Sequence, residues 1–207
     1  SRIFEEIFMR AAIPYKVVGG LRFYERKEVK DLLAYLRVIA NPDDEVSLRR
    51  IINTPKRGIG DRALDNIDDL AKREAISFWQ ALNRASEAGL TPKTSSSISQ
   101  FVAMIAALRV LVEAKRPPST IAAAALEQSG LLDELRDSHD PQDEVRVENL
   151  EELVAVAEEY EEREVDEGEE ISLAGFLEDV ALVADADEIP EGEDHGGVVT
   201  LMTDRKS

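Results

Sequence analysis

The amino-acid sequence predicts a mainly α-helical fold, in which a helical domain is inserted into a second domain that supplies two short β-strands near the chain ends. Apolar residues recur at helical spacing along most of the 207 residues. Two short β-type runs occupy residues 15–18 and 198–203. Two strands so far apart in sequence can pair only if the chain between them leaves the sheet and later returns to it. A domain inserted between the strands would do this, because the two ends of an inserted domain lie close together.

The spacing of apolar residues and of helix breakers predicts the elements in order. Residues 1–12 form a helical stripe that Pro14 ends, and two glycines close the first β-type run. A loop is predicted over residues 86–97, where Ser, Thr, Gly and Pro cluster, and a flexible acidic link over 188–197. Helices are predicted over residues 22–41, 46–53, 61–75, 77–85, 98–115, 119–130, 145–163 and 172–185.

The formal net charge of −18 is distributed unevenly along the chain. Residues 1–73 carry a net +3 and residues 74–132 a net +1, whereas residues 133–207 carry a net −22. A polyanion could therefore bind to the first third despite the acidic total. The last third is expected to be a solvated acidic surface, and the alternative is that it docks a basic partner protein.

The composition excludes several kinds of site. The chain has no cysteine, so it can form neither disulfide bonds nor thiol metal sites, which suits a reducing cytoplasm. We find no apolar run that predicts a membrane span and no signal-peptide pattern, and we interpret the chain as a fragment of a longer protein. His139 and His195 are solitary, and no acid pair stands out. We predict no catalytic and no metal-binding residue.

The stretch NTPKRGIGDRAL, residues 53–64, places two glycines between two predicted helices. Gly58 and Gly60 permit backbone angles that residues with a Cβ resist, and Ile59 is expected to pack inward. We expect Asp61 to cap the next helix and the free amides of residues 58–62 to face outward, where the positive end of the helix dipole favours an anion.

Basic residues next to these glycines suggest which anion would bind. Lys56, Arg57 and Arg62 add positive charge to the turn. A phosphate of duplex DNA is a fitting ligand, because such contacts position a protein without reading sequence. The alternative is a tight turn with solvated basic residues beside it, since short motifs match often by chance.

Two other groups of residues are expected to be structural. The first group is a basic cluster that could touch DNA: Arg22, Arg26, Lys27 and Lys30. We prefer the interpretation that these residues form ion pairs with the acidic residues on the same helix face, which are Glu25, Glu28 and Asp31. Phe78 and Trp79 could stack on a base, but their helical spacing beside Leu82 favours the core.

Several of these segments resemble a known family. Residues 17–64 resemble the stretch that links the 2A and 2B subdomains in UvrD/PcrA/Rep-type DNA helicases of superfamily one, and residues 146–153 are similar to that family's R-x-ENL-x-EL segment. Residues 1–2 resemble the end of its Q-S-R motif, and residues 198–203 the strand that leads into motif V. The chain departs from motif V at residues 204–207 and has no G-x-x-x-x-G-K-S/T phosphate loop.

The resemblance implies a division of the chain and a set of site residues. Residues 1–21 and 195–207 would be remnants of the RecA-like 2A motor subdomain, and residues 22–194 the helical 2B subdomain inserted in it. Hinge residues would be Gly19, Gly20, Gly196 and Gly197. The contact with duplex DNA ahead of the fork would be made by Thr54, Lys56, Arg57, Gly58, Ile59, Gly60 and Arg62.

The function implied is that of a duplex-DNA-binding, regulatory subdomain of an ATP-dependent 3′–5′ DNA helicase from a bacterial cytoplasm. The chain alone is expected to bind no cofactor and to hydrolyse no ATP, whereas ATP and Mg²⁺ are implied for the parent helicase. Expected partners are double-stranded DNA at a single/double-strand junction, the rest of the motor, and repair or transcription proteins, with no membrane. The alternative is an acidic helical module that recruits such proteins, with a purely structural glycine turn.

Overall fold

A computed structural model describes residues 22–187, and within that range the chain forms helices joined by short loops. A 3-10 turn at Phe23–Glu25 precedes the first α-helix, and a second at Ala85–Glu87 separates α4 from α5. The α-helices in this range are α1 (Lys27–Ala40), α2 (Glu45–Ile51), α3 (Asp61–Glu74), α4 (Phe78–Asn83), α5 (Pro92–Glu113), α6 (Pro118–Ser129), α7 (Leu131–Arg136), α8 (Pro141–Glu167) and α9 (Leu173–Asp187).

Polar side chains define where several of these helices begin. The Asp44 carboxylate accepts a hydrogen bond of 3.1 Å from the amide of Ser47 at the start of α2. Ser77 and Gln80 form a reciprocal capping box at the start of α4, with bonds of 3.1 and 3.0 Å. Each bond satisfies an amide that has no partner inside the helix, which stabilises the helix by about 1 kcal/mol.

Helix α1 lies at the centre of the fold and packs against α2, α5, α6, α8 and α9. It is buried on all sides, since nine of its fourteen residues are buried, among them Leu32, Tyr35 and Ile39. Phe78 on α4 also belongs to the core, as predicted, whereas Trp79 is half-buried against it. A central helix enclosed in this way is a rigid support for the loop that follows α2.

The prediction of a fold class with two short β-strands is wrong for the structure as described, because residues 22–187 contain helices and no strand. The runs on which it depended, residues 15–18 and 198–203, lie outside the described residues. An apolar run of a few residues carries no information about a partner strand, and two strands alone are only marginally stable. The mainly α-helical class is confirmed.

Several helical segments differ from the prediction: α1 begins at Lys27 rather than at residue 22, and α8 spans Pro141–Glu167 rather than residues 145–163. Helix α5 begins at Pro92 rather than at residue 98, because the Thr91 hydroxyl accepts a hydrogen bond of 3.3 Å from the amide of Thr94 and proline suits the first helical position. The serines that suggested a loop therefore lie inside the helix. The short helix α7 was not predicted; Gly130, at φ +84°, ends α6 and α7 starts directly after it.

Helix α5 is long and apolar enough, by length and composition alone, to cross a membrane, with a mean hydropathy of 1.6 over its most apolar window. The prediction that no run has this property is therefore wrong. The criterion is weak evidence, because the core helix of a globular domain also satisfies it. Ile98, Phe101, Ile105 and Leu108 of α5 are indeed buried in the core.

The basic cluster at the start of α1 forms ion pairs only in part as predicted. Arg22 pairs with Glu25 at 3.4 Å. Asp31 is buried and pairs with Arg50 of α2, at 2.8 Å, instead of with a neighbour on its own helix. Burial raises the pKa of Asp31, and the Arg50 guanidinium opposes that rise. The charged residues of this region thus join α1 to α2.

The R-x-ENL-x-EL segment joins α8 to the start of α1. The Asn149 amide donates a hydrogen bond of 2.7 Å to the Glu28 carboxylate, and the Asn149 carbonyl oxygen accepts one of 2.9 Å from the Arg26 guanidinium. Leu150, the next residue, is fully buried. We call the three residues Arg26, Glu28 and Asn149 the asparagine clamp.

Candidate nucleic-acid interface

Residues 53–60, which we call the glycine turn, connect the end of α2 to the start of α3. The turn lies against the central helix, because the Tyr35 hydroxyl of α1 donates a hydrogen bond to the carbonyl oxygen of Thr54. The Thr54 hydroxyl donates to the carbonyl oxygen of Arg50 at 3.1 Å, and the peptide bond between Thr54 and Pro55 is cis. Thr54 is thus half-buried at the base of the turn.

Asn53 holds the turn from inside. Its side-chain oxygen accepts hydrogen bonds from the amide of Arg57, at 2.7 Å, and from the amide of Ile59, at 3.2 Å. The expectation that every amide of residues 58–62 is free is therefore wrong for Ile59. Asn53 was not among the predicted residues, although a short side-chain acceptor at the end of a helix is a known signal for such turns.

Arg57 points into the protein and not toward solvent. Its guanidinium donates to the carbonyl oxygens of Ile51 at 2.9 Å, Ile52 at 3.2 Å and Thr54 at 3.1 Å, all of which belong to the end of α2 or to the turn. It also donates to the carbonyl oxygen of Ser129, at 3.1 Å, at the end of α6. A guanidinium has five N–H donors in a fixed fork, so one residue can satisfy several carbonyl groups at once.

Two aromatic rings complete the environment of Arg57. The guanidinium lies 5.2 Å from the ring centroid of Phe101 on α5 and 5.9 Å from that of Tyr35 on α1. It also donates to the Tyr35 hydroxyl at 2.5 Å. Burial raises the pKa of the Tyr35 hydroxyl, so this group stays protonated and continues to donate to Thr54. The structure therefore places Arg57 as a support of the turn, since both terminal nitrogens of its guanidinium donate to acceptors within the protein.

The two glycines differ in conformation. Gly58 has φ +76°, which side chains rarely adopt, whereas Gly60 has φ −86° and ψ 178°, an extended conformation open to any residue. The expected special backbone angle is thus found at Gly58 only. A Cβ atom on either glycine would meet no protein atom within 4 Å, so the space above both is open. Ile59 between them is 1% exposed and packs inward, as predicted.

The start of α3 presents unpaired amides to this open space. Gly60, not Asp61, is the N-cap residue, and it makes no side-chain cap. The first bond of the helix runs from the amide of Leu64 to the carbonyl oxygen of Gly60, at 3.2 Å. Within residues 22–187, the amides of Gly58, Gly60, Asp61 and Arg62 have no acceptor. Such a helix end binds anions.

Two cations stand beside these amides. The side chains of Lys56 and Arg62 are exposed, and neither forms an ion pair with any residue that the structure describes. Of the seven predicted contact residues, Lys56, Gly58, Gly60 and Arg62 thus form one outer face, which we call the anion face. Thr54 lies at its base, and Arg57 and Ile59 lie beneath it. The predicted hinge residues Gly19, Gly20, Gly196 and Gly197 lie outside the described residues.

Other kinds of site find no support in the described part of the chain. No group of three or more His, Asp or Glu side chains within residues 22–187 is arranged to hold a metal ion. The exposed anion face, in contrast, combines backbone donors with unpaired positive charge. Its chemistry fits a phosphate group better than any neutral ligand.

Comparison with known proteins identifies the family. The model of the UvrD-like helicase C-terminal domain matches residues 1–203. The chain is 48% identical to the ATP-dependent DNA helicase UvrD1 of Mycobacterium tuberculosis, over 98% of this chain and 28% of that protein. It is 44% identical to the ATP-dependent DNA helicase PcrA of Staphylococcus epidermidis, over 98% of this chain and 27% of that protein. The chain therefore spans little more than a quarter of the length of these relatives, and it belongs to the UvrD-like helicase C-terminal domain family.

Proposed function

We propose that this chain is the duplex-DNA-binding, regulatory 2B subdomain of an ATP-dependent 3′–5′ DNA helicase. The observation that carries the proposal is the anion face, where four amides that have no acceptor in the described part of the chain lie beside the exposed Lys56 and Arg62. The relatives are named as ATP-dependent DNA helicases, which makes DNA the expected anion. In this proposal residues 22–194 are the 2B insert, and residues 1–21 and 195–207 belong to 2A.

The anion face suits a duplex backbone for two reasons. Phosphate oxygens are charged acceptors, and backbone amides at a helix end bind them through charge-assisted hydrogen bonds. The open space above Gly58 and Gly60 lets a phosphate approach the main chain closely, which a Cβ would hinder. Contacts of this kind position a protein on DNA of any sequence, as a helicase requires.

The proposal assigns the chemistry of the motor to other parts of the parent protein. ATP and Mg²⁺ would be bound there, because these 207 residues contain no phosphate-loop motif. The partners it implies are double-stranded DNA at a single/double-strand junction, the rest of the motor, and proteins of repair or transcription.

A salt titration of DNA binding tests the proposal. Wild type and Lys56→Ala/Arg62→Ala are titrated with a fluorescent duplex that has a single-stranded tail, at several salt concentrations. The double variant should bind more weakly to every sequence, and the slope of log K against log salt should fall by about 1 for each cation removed. Arg57 is left unchanged, since its removal would disturb the turn itself.

The control changes the same charge at the opposite end of the same helix. Lys72 and Arg73 lie in the last turn of α3, and the helix is about 20 Å long. Lys72→Ala/Arg73→Ala should therefore retain both the affinity and the slope. Equal effects of the two double variants would contradict a local contact. No binding by the wild type at low salt would contradict the proposal and favour an acidic protein-interaction module.

A further inference from the structure

A shallow cavity borders the glycine turn where the turn meets α5 and α6. Its volume is about 300 Å³, and its lining residues come from the turn, from α5 and from α6. They are Arg57, Ser97, Gln100, Phe101, Met104 and Gln128. We call this cavity the glutamine pocket. Neither the family resemblance nor the anion face accounts for it.

The glutamine pocket lies next to the residues that contact Arg57 and so support the turn. Phe101, which is 1% exposed, lies under the Arg57 guanidinium, and Gln100 immediately precedes Phe101 on α5. Ser129 accepts a hydrogen bond from the same guanidinium, and Gln128 immediately precedes Ser129 on α6. The two glutamines are therefore each one residue away from a contact of Arg57, which fixes their distance from the turn.

The rim of the pocket is polar and free of acids. Gln100 and Gln128 are exposed, and within residues 22–187 neither side chain has a hydrogen-bond partner. The Ser97 hydroxyl donates its proton to the carbonyl oxygen of Lys93 at 3.1 Å, so the donors that the rim offers to an anion are the two glutamine amides. None of the residues that line the pocket is acidic, in a chain with 43 Asp and Glu residues. A phosphate could approach this rim without repulsion from its lining.

We propose that the glutamine pocket is a second contact for the sugar-phosphate backbone of the same duplex that the anion face binds. Each glutamine offers two N–H donors, and uncharged side chains of this type commonly bind phosphate and sugar oxygens in protein–DNA complexes. The inference rests on the proposed function, since the pocket matters only if the turn meets a duplex. It adds a neutral contact beside a charged one, so that two points on the backbone fix the orientation of the duplex.

The glutamine side chains are uncharged, so the salt dependence of binding distinguishes their contact with DNA from that of Lys56 and Arg62. Gln100→Ala/Gln128→Ala is compared with wild type in the same titration, with a blunt duplex, a single strand and inorganic phosphate as competitors in separate arms. Affinity for the duplex should fall roughly tenfold at every salt concentration. The slope of log K against log salt should stay unchanged, because a neutral side chain releases no counterion. Gln142→Ala, an exposed glutamine at the start of α8, should have no effect.

A gain of charge supplies an independent variant. Gln128→Lys should tighten duplex binding and steepen the slope by about 1, because the new cation would neutralise a phosphate held at the rim. Both glutamines are exposed, so the melting temperature should stay at the wild-type value and exclude unfolding as the cause.

The outcomes separate this inference from the proposed function. Suppose that Gln100→Ala/Gln128→Ala binds the duplex within twofold of wild type, while Lys56→Ala/Arg62→Ala binds more weakly. The glutamine pocket would then not be a duplex contact, and the proposed role of the anion face would stand. No effect of either double variant would overturn both. Weakened binding of the single strand alone, with duplex binding unchanged, would also overturn the pocket as a duplex contact. If inorganic phosphate displaced the duplex at a concentration as low as that of the competing duplex, the pocket would be a site for free phosphate. That result would contradict the inference.

Discussion

Gly60 lies where the glycine turn meets α3, and neither its conformation nor its packing requires glycine. Its φ of −86° suits any residue, and an added Cβ would meet no protein atom within 4 Å. Gly58 differs, because its φ of +76° would strain any other residue. Glycine is an acceptable N-cap residue, but serine, aspartate or asparagine would cap α3 at least as well, so the particular use of glycine at position 60 is to let something outside the protein come close to its backbone.

Replacing Gly60 tests that argument at a single residue. Gly60→Ala should change the free energy of unfolding by less than about 1 kcal/mol, because the poorer N-cap and the reduced entropy of the unfolded chain offset each other. Duplex affinity should fall roughly tenfold, because a methyl group would displace a phosphate from the amides. Chemical denaturation and a binding titration measure the two effects. Unchanged affinity in a folded variant would mean that no ligand approaches this backbone.

The sequence located the turn but could not give the direction of each side chain. Lys56, Arg57 and Arg62 look equivalent in the sequence, yet Arg57 turns inward because carbonyl groups from several parts of the chain converge on its guanidinium. Those carbonyl groups belong to α2, the turn and α6, and they come together only in the folded chain. The role of Asn53 was missed for the same reason, since it depends on how the turn folds back.

At the scale of elements, the glycine turn is a rigid unit that Arg57 attaches to three helices. The guanidinium contacts the end of α2 and the end of α6 through carbonyl groups, and α1 through the Tyr35 hydroxyl. Asn53 closes the turn from within. The amides of the anion face are thus held in place before any ligand arrives, which reduces the entropic cost of binding.

A conservative change separates this supporting role from a direct contact. Arg57→Lys keeps the charge but removes the fork of donors that the carbonyl groups require. We expect it to destabilise the fold by about 3 kcal/mol, nearly as much as Arg57→Ala, because the carbonyl groups of Ile52 and Ser129 lose their donor, whereas those of Ile51 and Thr54 keep a second one. Thermal or chemical unfolding measures the loss. Lysine serves well as a phosphate ligand, so a stable Arg57→Lys variant whose DNA affinity matches wild type would point to a direct contact instead.

Elements with long apolar repeats were predicted best. Helix α3 agrees closely with its predicted range, and α1 ends within one residue of its predicted end, although it begins at Lys27 instead of residue 22. Helix α7 has six residues, too few to show a helical period, and only its packing against α6 and α8 stabilises it. The start of α5 was missed because serine, threonine and proline are common in loops and equally common at helix starts.

At the scale of the whole molecule, the described part of the chain folds back so that α8 and α9, from its acidic last third, pack against α1. Helix α8 packs against α1 through fully buried residues such as Leu150 and Leu153, and its many carboxylates remain on the outside. The sequence predicted both the amphipathic pattern and the charge segregation. It could not predict that residue 149 meets residues 26 and 28, because contacts over such a sequence separation depend on the completed fold.

The asparagine clamp is the polar part of this long-range contact, and it lies at the start of α1. The Asn149 side chain donates to Glu28 and accepts from Arg26, so it satisfies a negative and a positive partner at the same time. No other small side chain has a donor and an acceptor at this spacing. The clamp therefore holds the first turn of α1 onto α8.

Reversing the polarity of the clamp tests this role. Asn149→Asp keeps the acceptor for Arg26 but places a second carboxylate against that of Glu28. Because the two carboxylates repel each other, we expect the free energy of unfolding to fall by about 1–2 kcal/mol and amide exchange at the start of α1 to become faster. Adding Glu28→Gln should recover most of the loss, because the glutamine amide can donate to Asp at position 149. Glu28→Gln alone is the matched control. A double variant no more stable than Asn149→Asp would show that the hydrogen bond between residues 28 and 149 does not hold the start of α1 against α8. Apolar packing around Leu150 would then hold the two helices together.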